Sequence, residues 1–112
     1  GATGNGGEGI KKCLELAPGL VIIDLHLPEM NGFEILRLLK TKFPEIKILI
    51  FTGNTSQQTI EHAVRGNADG LINKISGLEN LEKAIHVLSE DRRYFPPAIV
   101  DEVVRLRKKL SN

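Results

Sequence analysis

Three apolar runs in this chain each end in a polar side chain suited to phosphate chemistry. Leu20-Val21-Ile22-Ile23 ends in Asp24, the run from Ile46 to Phe51 ends in Thr52, and the run from Gly70 to Asn73 ends in Lys74. Asp24 also opens Leu25-His26-Leu27-Pro28-Glu29-Met30-Asn31-Gly32, whose Pro and Asn-Gly suit a tight loop. In an open α/β sheet, ligands sit in the crevice beyond the carboxyl ends of the strands. An acid, a hydroxyl and an ammonium at three successive strand ends therefore point at one shared site.

The surrounding periodicities supply elements to hold those ends. Glu8 to Ala17 reads as a helix with a narrow apolar face, closed by Pro18-Gly19, and Cys13 falls in step with Ile10, Leu14 and Ala17 on that face. Leu20 to Asp24 is continuously apolar up to its acid, as a strand buried on both faces requires. Phe33 to Phe43 repeats at helical spacing through Ile35, Leu36, Leu39 and Phe43, and Pro44 stops it. Ile46 to Phe51 is the next strand. Ser56 to Arg65 is a helix with Ile60, Ala63 and Val64 facing inward, and Gly66 or Asn67 can end it in a left-handed conformation. Leu71 to Asn73 is a short strand. Ser76-Gly77-Leu78-Glu79 matches a capping box and starts a helix through Leu81, Ile85 and Leu88. After Phe95-Pro96-Pro97, a last helix runs from about Ala98 to Leu110. Alternation of this kind predicts parallel strands joined by right-handed crossovers.

Composition narrows the setting. The chain has 112 residues, enough for one domain with one core, and its formal net charge of +1 argues against a broad basic nucleic-acid surface. The single Cys13 has no intrachain partner, which favours a reducing, cytoplasmic location. No apolar stretch is long enough to span a bilayer, and no signal-peptide pattern opens the chain, so no membrane partner is expected.

The ordered set Asp24 with its Pro28 and Asn31-Gly32 loop, then Thr52, then Lys74 resembles the receiver domains of two-component response regulators. The tail Arg92-Arg93-Tyr94-Phe95-Pro96-Pro97 and its helix look like the linker that, in the NarL/FixJ-type subfamily, leads to a LuxR-type DNA-binding module. The resemblance implies a flavodoxin-like (CheY-like) parallel α/β fold: a partial receiver domain over residues 1–93 and a linker helix over 94–112. It implies that Asp24 takes a phosphoryl group from a sensor histidine kinase. Thr52 would hydrogen-bond a phosphoryl oxygen, and Lys74 would pair with another as a point charge. Mg²⁺ would be held by Asp24 and the backbone carbonyl of His26. DNA would be reached only through a further domain.

Two departures shape the expectation for this chain. The family begins with a strand, a helix and a second strand, roughly 30–40 residues at ordinary element lengths, before the elements found here. The first strand of the family carries an acidic pair for the metal, and no Asp or Glu precedes Glu8, so Mg²⁺ binding is expected to be weak or absent in this chain. The position three before the lysine is often an aromatic switch residue, and here it is Leu71.

Other readings compete. Gly4-Asn5-Gly6-Gly7-Glu8-Gly9 spells a G-x-G-x-x-G before a helix-like segment, the outline of a dinucleotide-binding half-domain of an oxidoreductase. That reading leaves Thr52 and Lys74 without a role. A pseudo-receiver that is never phosphorylated is the second alternative. His26 could suggest a metal ligand through its side chain but has no companions, and His62 and His86 read as surface residues. The expected whole is a switch module rather than a turnover enzyme.

Assembly follows from the missing strands. Leu20, Val21, Ile22 and Ile23 would form an unprotected apolar edge, and such edges recruit another chain. A two-fold homodimer through these residues is therefore expected. Packing through the stripe Ile99, Val103, Leu106 and Leu110 is a further route, although that stripe can also pack on its own domain.

Overall fold

The computed structural model describes residues 10–17, 19–25, 30–53 and 55–111. Within them the chain runs β1 (Ile10–Ala17), β2 (Leu20–Leu25), α1 (Met30–Lys42), β3 (Lys47–Thr52), α2 (Gln57–Arg65), β4 (Gly70–Asn73), α3 (Leu78–Ser89) and α4 (Val100–Ser111). The strands form one sheet in the order β1-β2-β3-β4. β2, β3 and β4 are parallel, as the alternation of elements predicts.

β1 departs from the expected helix. Residues 10–17 form a strand antiparallel to β2, with Cys13 opposite Ile23 and Ala17 opposite Leu20. The reason lies in β2, whose second row of backbone donors and acceptors would otherwise stand unpaired beside an apolar ribbon. Closing that row outweighs the helical spacing of a segment whose apolar face is narrow. Leu20, Val21, Ile22 and Ile23 are therefore covered by a strand of the same chain, and the open edge on which a strand-paired homodimer rested does not exist. The outer strand on that side of the sheet is β1.

Both faces of the sheet are covered by helices. Val21, Ile23, Ile48, Ile50 and Leu71 pack with Phe33 and Leu36 of α1 and Ala63 of α2. On the other face Leu20, Leu49 and Ile72 pack with Ala84 and Leu88 of α3. His62 is not a plain surface residue: it is half-buried, and its ring stacks on Phe33 with centroids 5.1 Å apart. α4 lies on α2 instead of on the sheet, joining Val103 and Leu106 to Ile60 and Val64, with Ile99 and Phe95 alongside. The terminal stripe thus packs on its own domain, and Leu110 at its end stays half exposed.

Local signals explain the boundaries. Ser56 caps α2 by accepting from the Thr59 amide at 3.3 Å, and Asn67 takes the left-handed conformation after it, with φ of 66°. The expected capping box at Ser76 does not form. Lys74–Ser76 is a short 3₁₀ turn, and Gly77, with φ of 91°, occupies the N-cap of α3 without a side-chain bond. A left-handed backbone at that point is open to glycine and strained for other residues.

The edge of β4 is closed by the linker. Tyr94 accepts from the Leu71 amide at 3.1 Å and donates its own amide to the Asp69 carbonyl at 3.0 Å. Gly70 permits this approach, because a Cβ there would lie 2.8 Å from the Tyr94 carbonyl oxygen. At the same end of the sheet the Lys40 ammonium lies 2.6 Å from Asp69 Oδ2, which also accepts from the Ile48 amide at 2.9 Å.

Candidate functional site

Parallel pairing sends the carboxyl ends of β2, β3 and β4 to one side of the sheet. Asp24 stands level with Phe51, and Thr52 stands level with both Leu25 and Asn73. Lys74 begins the turn after β4 and reaches back across the sheet end. Its Nζ lies 2.6 Å from Asp24 Oδ1. The ammonium also sits 5.6 Å from the centre of the Phe51 ring, which adds a favourable cation–π contact. Asp24 and Lys74 are thus brought together, and Thr52 lies at the same end, fully buried.

The Asp24–Lys74 contact has an uneven quality. Oδ1 is buried, yet among the described residues it accepts no hydrogen bond, so the lysine approaches at charge-pairing distance but at a poor hydrogen-bond angle. The pair is held by Coulomb attraction, with acceptor capacity on the carboxylate left over. Both side chains keep some solvent contact, 18% for Asp24 and 27% for Lys74.

Two further side chains organise this end. Asn73 Oδ1 accepts from the Ile75 amide at 2.8 Å, and Asn73 Nδ2 donates to Thr55 Oγ1 at 3.2 Å. Neither residue stands out by type alone. The available signal is an amide side chain directly before the lysine in a strand whose other residues are Gly70, Leu71 and Ile72. Leu71 is fully buried in the core between sheet and helices. His26, Pro28 and Glu29 lie outside the described residues, as does the Gly4 to Gly9 run. The segment that follows that run is a strand, whereas a dinucleotide fingerprint opens a helix.

The implied metal can be tested against the donors present. Among the described residues no group of three His, Cys, Asp or Glu side chains could hold a metal ion. At this sheet end those residues offer the Asp24 carboxylate, one of whose oxygens faces an ammonium. A hard cation such as Mg²⁺ needs near-octahedral oxygen coordination, so this donor set does not fit it.

Three parallel strands between helices, with an acid–lysine pair at their carboxyl ends, define a flavodoxin-like module of the receiver class. Comparison with known proteins agrees. Residues 1–86 match the family described as the Response regulator receiver domain, and the chain belongs to that family. It is 35% identical over 86 residues to the nitrate/nitrite response regulator protein NarL of Escherichia coli, covering 77% of this chain and 40% of that protein. It is 24% identical over 112 residues to the transcriptional regulatory protein DegU of Brevibacillus brevis, covering 99% of this chain and 48% of that protein. The isolated REC domain of RcsB from Salmonella enterica serovar Typhimurium shares the fold, with a TM-score of 0.62 at 18% identity over 73% of this chain and 62% of that one. The chain spans about half the length of the curated relatives it matches. Among the described residues no helix is long and apolar enough to cross a membrane.

Proposed function

We propose that this chain is the phospho-acceptor module of a NarL-type response regulator in the cytoplasm, a switch and not a turnover enzyme. The observation that carries the reading is the Asp24–Lys74 contact at the carboxyl end of the sheet. An Asp24 carboxylate oxygen would attack the phosphorus of a phosphorylated histidine on a sensor kinase. A P–O bond forms, the P–N bond breaks, and the imidazole leaves with its electron pair. Lys74, already at Asp24, would pair with a phosphoryl oxygen, and Thr52 would donate to another. Output to DNA would pass through the linker from Tyr94 onward to a further domain. Mg²⁺ would supply charge neutralisation at this end of the sheet, and the donors among the described residues do not fit it.

A second reading, a pseudo-receiver that signals without phosphorylation, draws on one observation. A lysine ammonium already stands 2.6 Å from Asp24 and neutralises it. The test is incubation with phosphoramidate and Mg²⁺, borohydride trapping of acyl phosphate, and peptide mapping by mass spectrometry. We expect a slow, sparse adduct confined to Asp24 and lost in Asp24→Asn. Modification at another residue, or equal yield in Asp24→Asn, would overturn the phospho-acceptor reading. No adduct at any donor concentration would favour the pseudo-receiver.

A further inference from the structure

We propose that Asn73 is a positioning residue that clamps the start of α2 to the turn bearing Lys74 and so holds the ammonium at Asp24. The inference rests on the reading of Lys74 as the group that pairs with a phosphoryl oxygen, and it assigns that lysine its anchor.

One side-chain amide works in two directions. Its oxygen accepts from the Ile75 amide at 2.8 Å and shapes the 3₁₀ turn of Lys74–Ser76. Its nitrogen donates to Thr55 Oγ1 at 3.2 Å, across 18 residues of sequence. Thr55 directly precedes Ser56, the N-cap of α2, and follows Thr52 by one short loop. The loops that follow β3 and β4 are thereby joined by a single side chain.

The two bonds need a short side chain with two polar atoms, and a neutral amide supplies them without charge. Leucine can make neither bond, whereas aspartate could cap the Ile75 amide and accept from the Thr55 hydroxyl only by adding a second negative charge at this end of the sheet. A lysine ammonium rides on a flexible four-carbon stem, so its placement depends on how firmly its backbone is anchored. With the turn tethered, only the side chain has to be ordered for Nζ to reach Asp24. The same tether links Lys74 mechanically to α2, so a shift of the lysine toward a group on Asp24 would draw on the start of that helix.

The test reads Lys74 itself. The intact chain is treated briefly with an amine-acetylating reagent, and labelling of Lys74 is compared with that of the exposed Lys83 by mass spectrometry. Thr55→Val removes the acceptor and leaves the Asn73–Ile75 cap untouched, whereas Thr55→Ser keeps the hydroxyl. We expect Thr55→Val to raise the Lys74/Lys83 ratio by about 2- to 10-fold, the equilibrium weight of one ordinary hydrogen bond. Thr55→Ser should match the parent chain. Asn73→Leu should raise the ratio further and speed exchange of the Ile75 amide, which Thr55→Val leaves unchanged. An unchanged ratio in Thr55→Val, or an equal rise in Thr55→Ser, would overturn the clamp. Because the readout is independent of phosphate, a responsive Lys74 without any adduct at Asp24 would instead count against the phospho-acceptor reading.

Discussion

Two lysine–aspartate pairs stand at opposite ends of the same sheet, each closed at 2.6 Å, and their surroundings differ in every other respect. Asp69 is buried and its Oδ2 also takes the Ile48 amide, while Lys40 additionally donates to the Ile46 carbonyl at 2.6 Å. Every contact in that set ties one element to the next. Asp24 and Lys74 are more accessible, and the carboxylate oxygen facing the lysine accepts no hydrogen bond among the described residues. Equal distances therefore conceal unequal roles. A carboxylate oxygen shared by a backbone amide and a buried lysine acts as a structural fastener, whereas the Asp24 oxygen facing Lys74 has acceptor capacity to spare.

Substitution of the lysines should separate the two pairs most sharply. Lys40→Met leaves Asp69 as an uncompensated buried charge, and thermal or urea unfolding should show a loss of about 3–5 kcal/mol. A loss below about 1 kcal/mol would mean that the Asp69 end is no fastener. Gly70→Ala probes the same end through the backbone, since the added methyl would crowd both the Tyr94 carbonyl and the Leu49 side chain. It should cost about 1–3 kcal/mol in urea unfolding. Lys74→Met, by contrast, should change stability by no more than about 1 kcal/mol, because the pair is part-solvated and weakly bonded. A loss as large as that of Lys40→Met would erase the distinction between the two ends.

The smallest effect concerns pH and the join between α4 and α2. Hydrogen bonds from Arg105 and then Gln57 hold the Glu102 carboxyl below its usual value, against a small desolvation effect. A carboxyl lowered in the folded state stabilises it above the unfolded value, and that contribution fades as pH falls through the folded one. The protection of α4 amides, measured against their intrinsic exchange rate at each pH, should therefore fall on acidification below the ordinary carboxylate range, and Glu102→Gln should flatten that response. Identical profiles for the two chains would remove Glu102 from the join.

Much of the site was legible because strand ends carry polar residues whose neighbours are uniformly apolar. Asp24, Thr52 and Lys74 each terminate such a run, and parallel order alone sends them to one side. Residues 10–17 carry helical spacing yet form a strand, because the decision belongs to β2, a partner that local periodicity does not include. Ser76 ends a 3₁₀ turn that Asn73 caps, and the N-cap of α3 falls to Gly77. The Asp69–Lys40 pair left a faint trace in the sequence. Lys40 falls four residues after Leu36, on the apolar side of its helix, where a charge requires a partner. Thr55 and Asn73 are distant in sequence, so nothing short of the fold reveals their bond.

α4 gives the molecule an arm. It has 12 residues, hence a length of about 18 Å at 1.5 Å per residue. Val103 and Leu106 fasten it to Ile60 and Val64, so it is carried by α2 and not by the sheet. At that length, a turn of α2 by about 10° would sweep the far end of the arm through about 3 Å. Rotations too small to disturb the core thus become displacements as large as a hydrogen-bond length at the tip, a gain set by leverage alone.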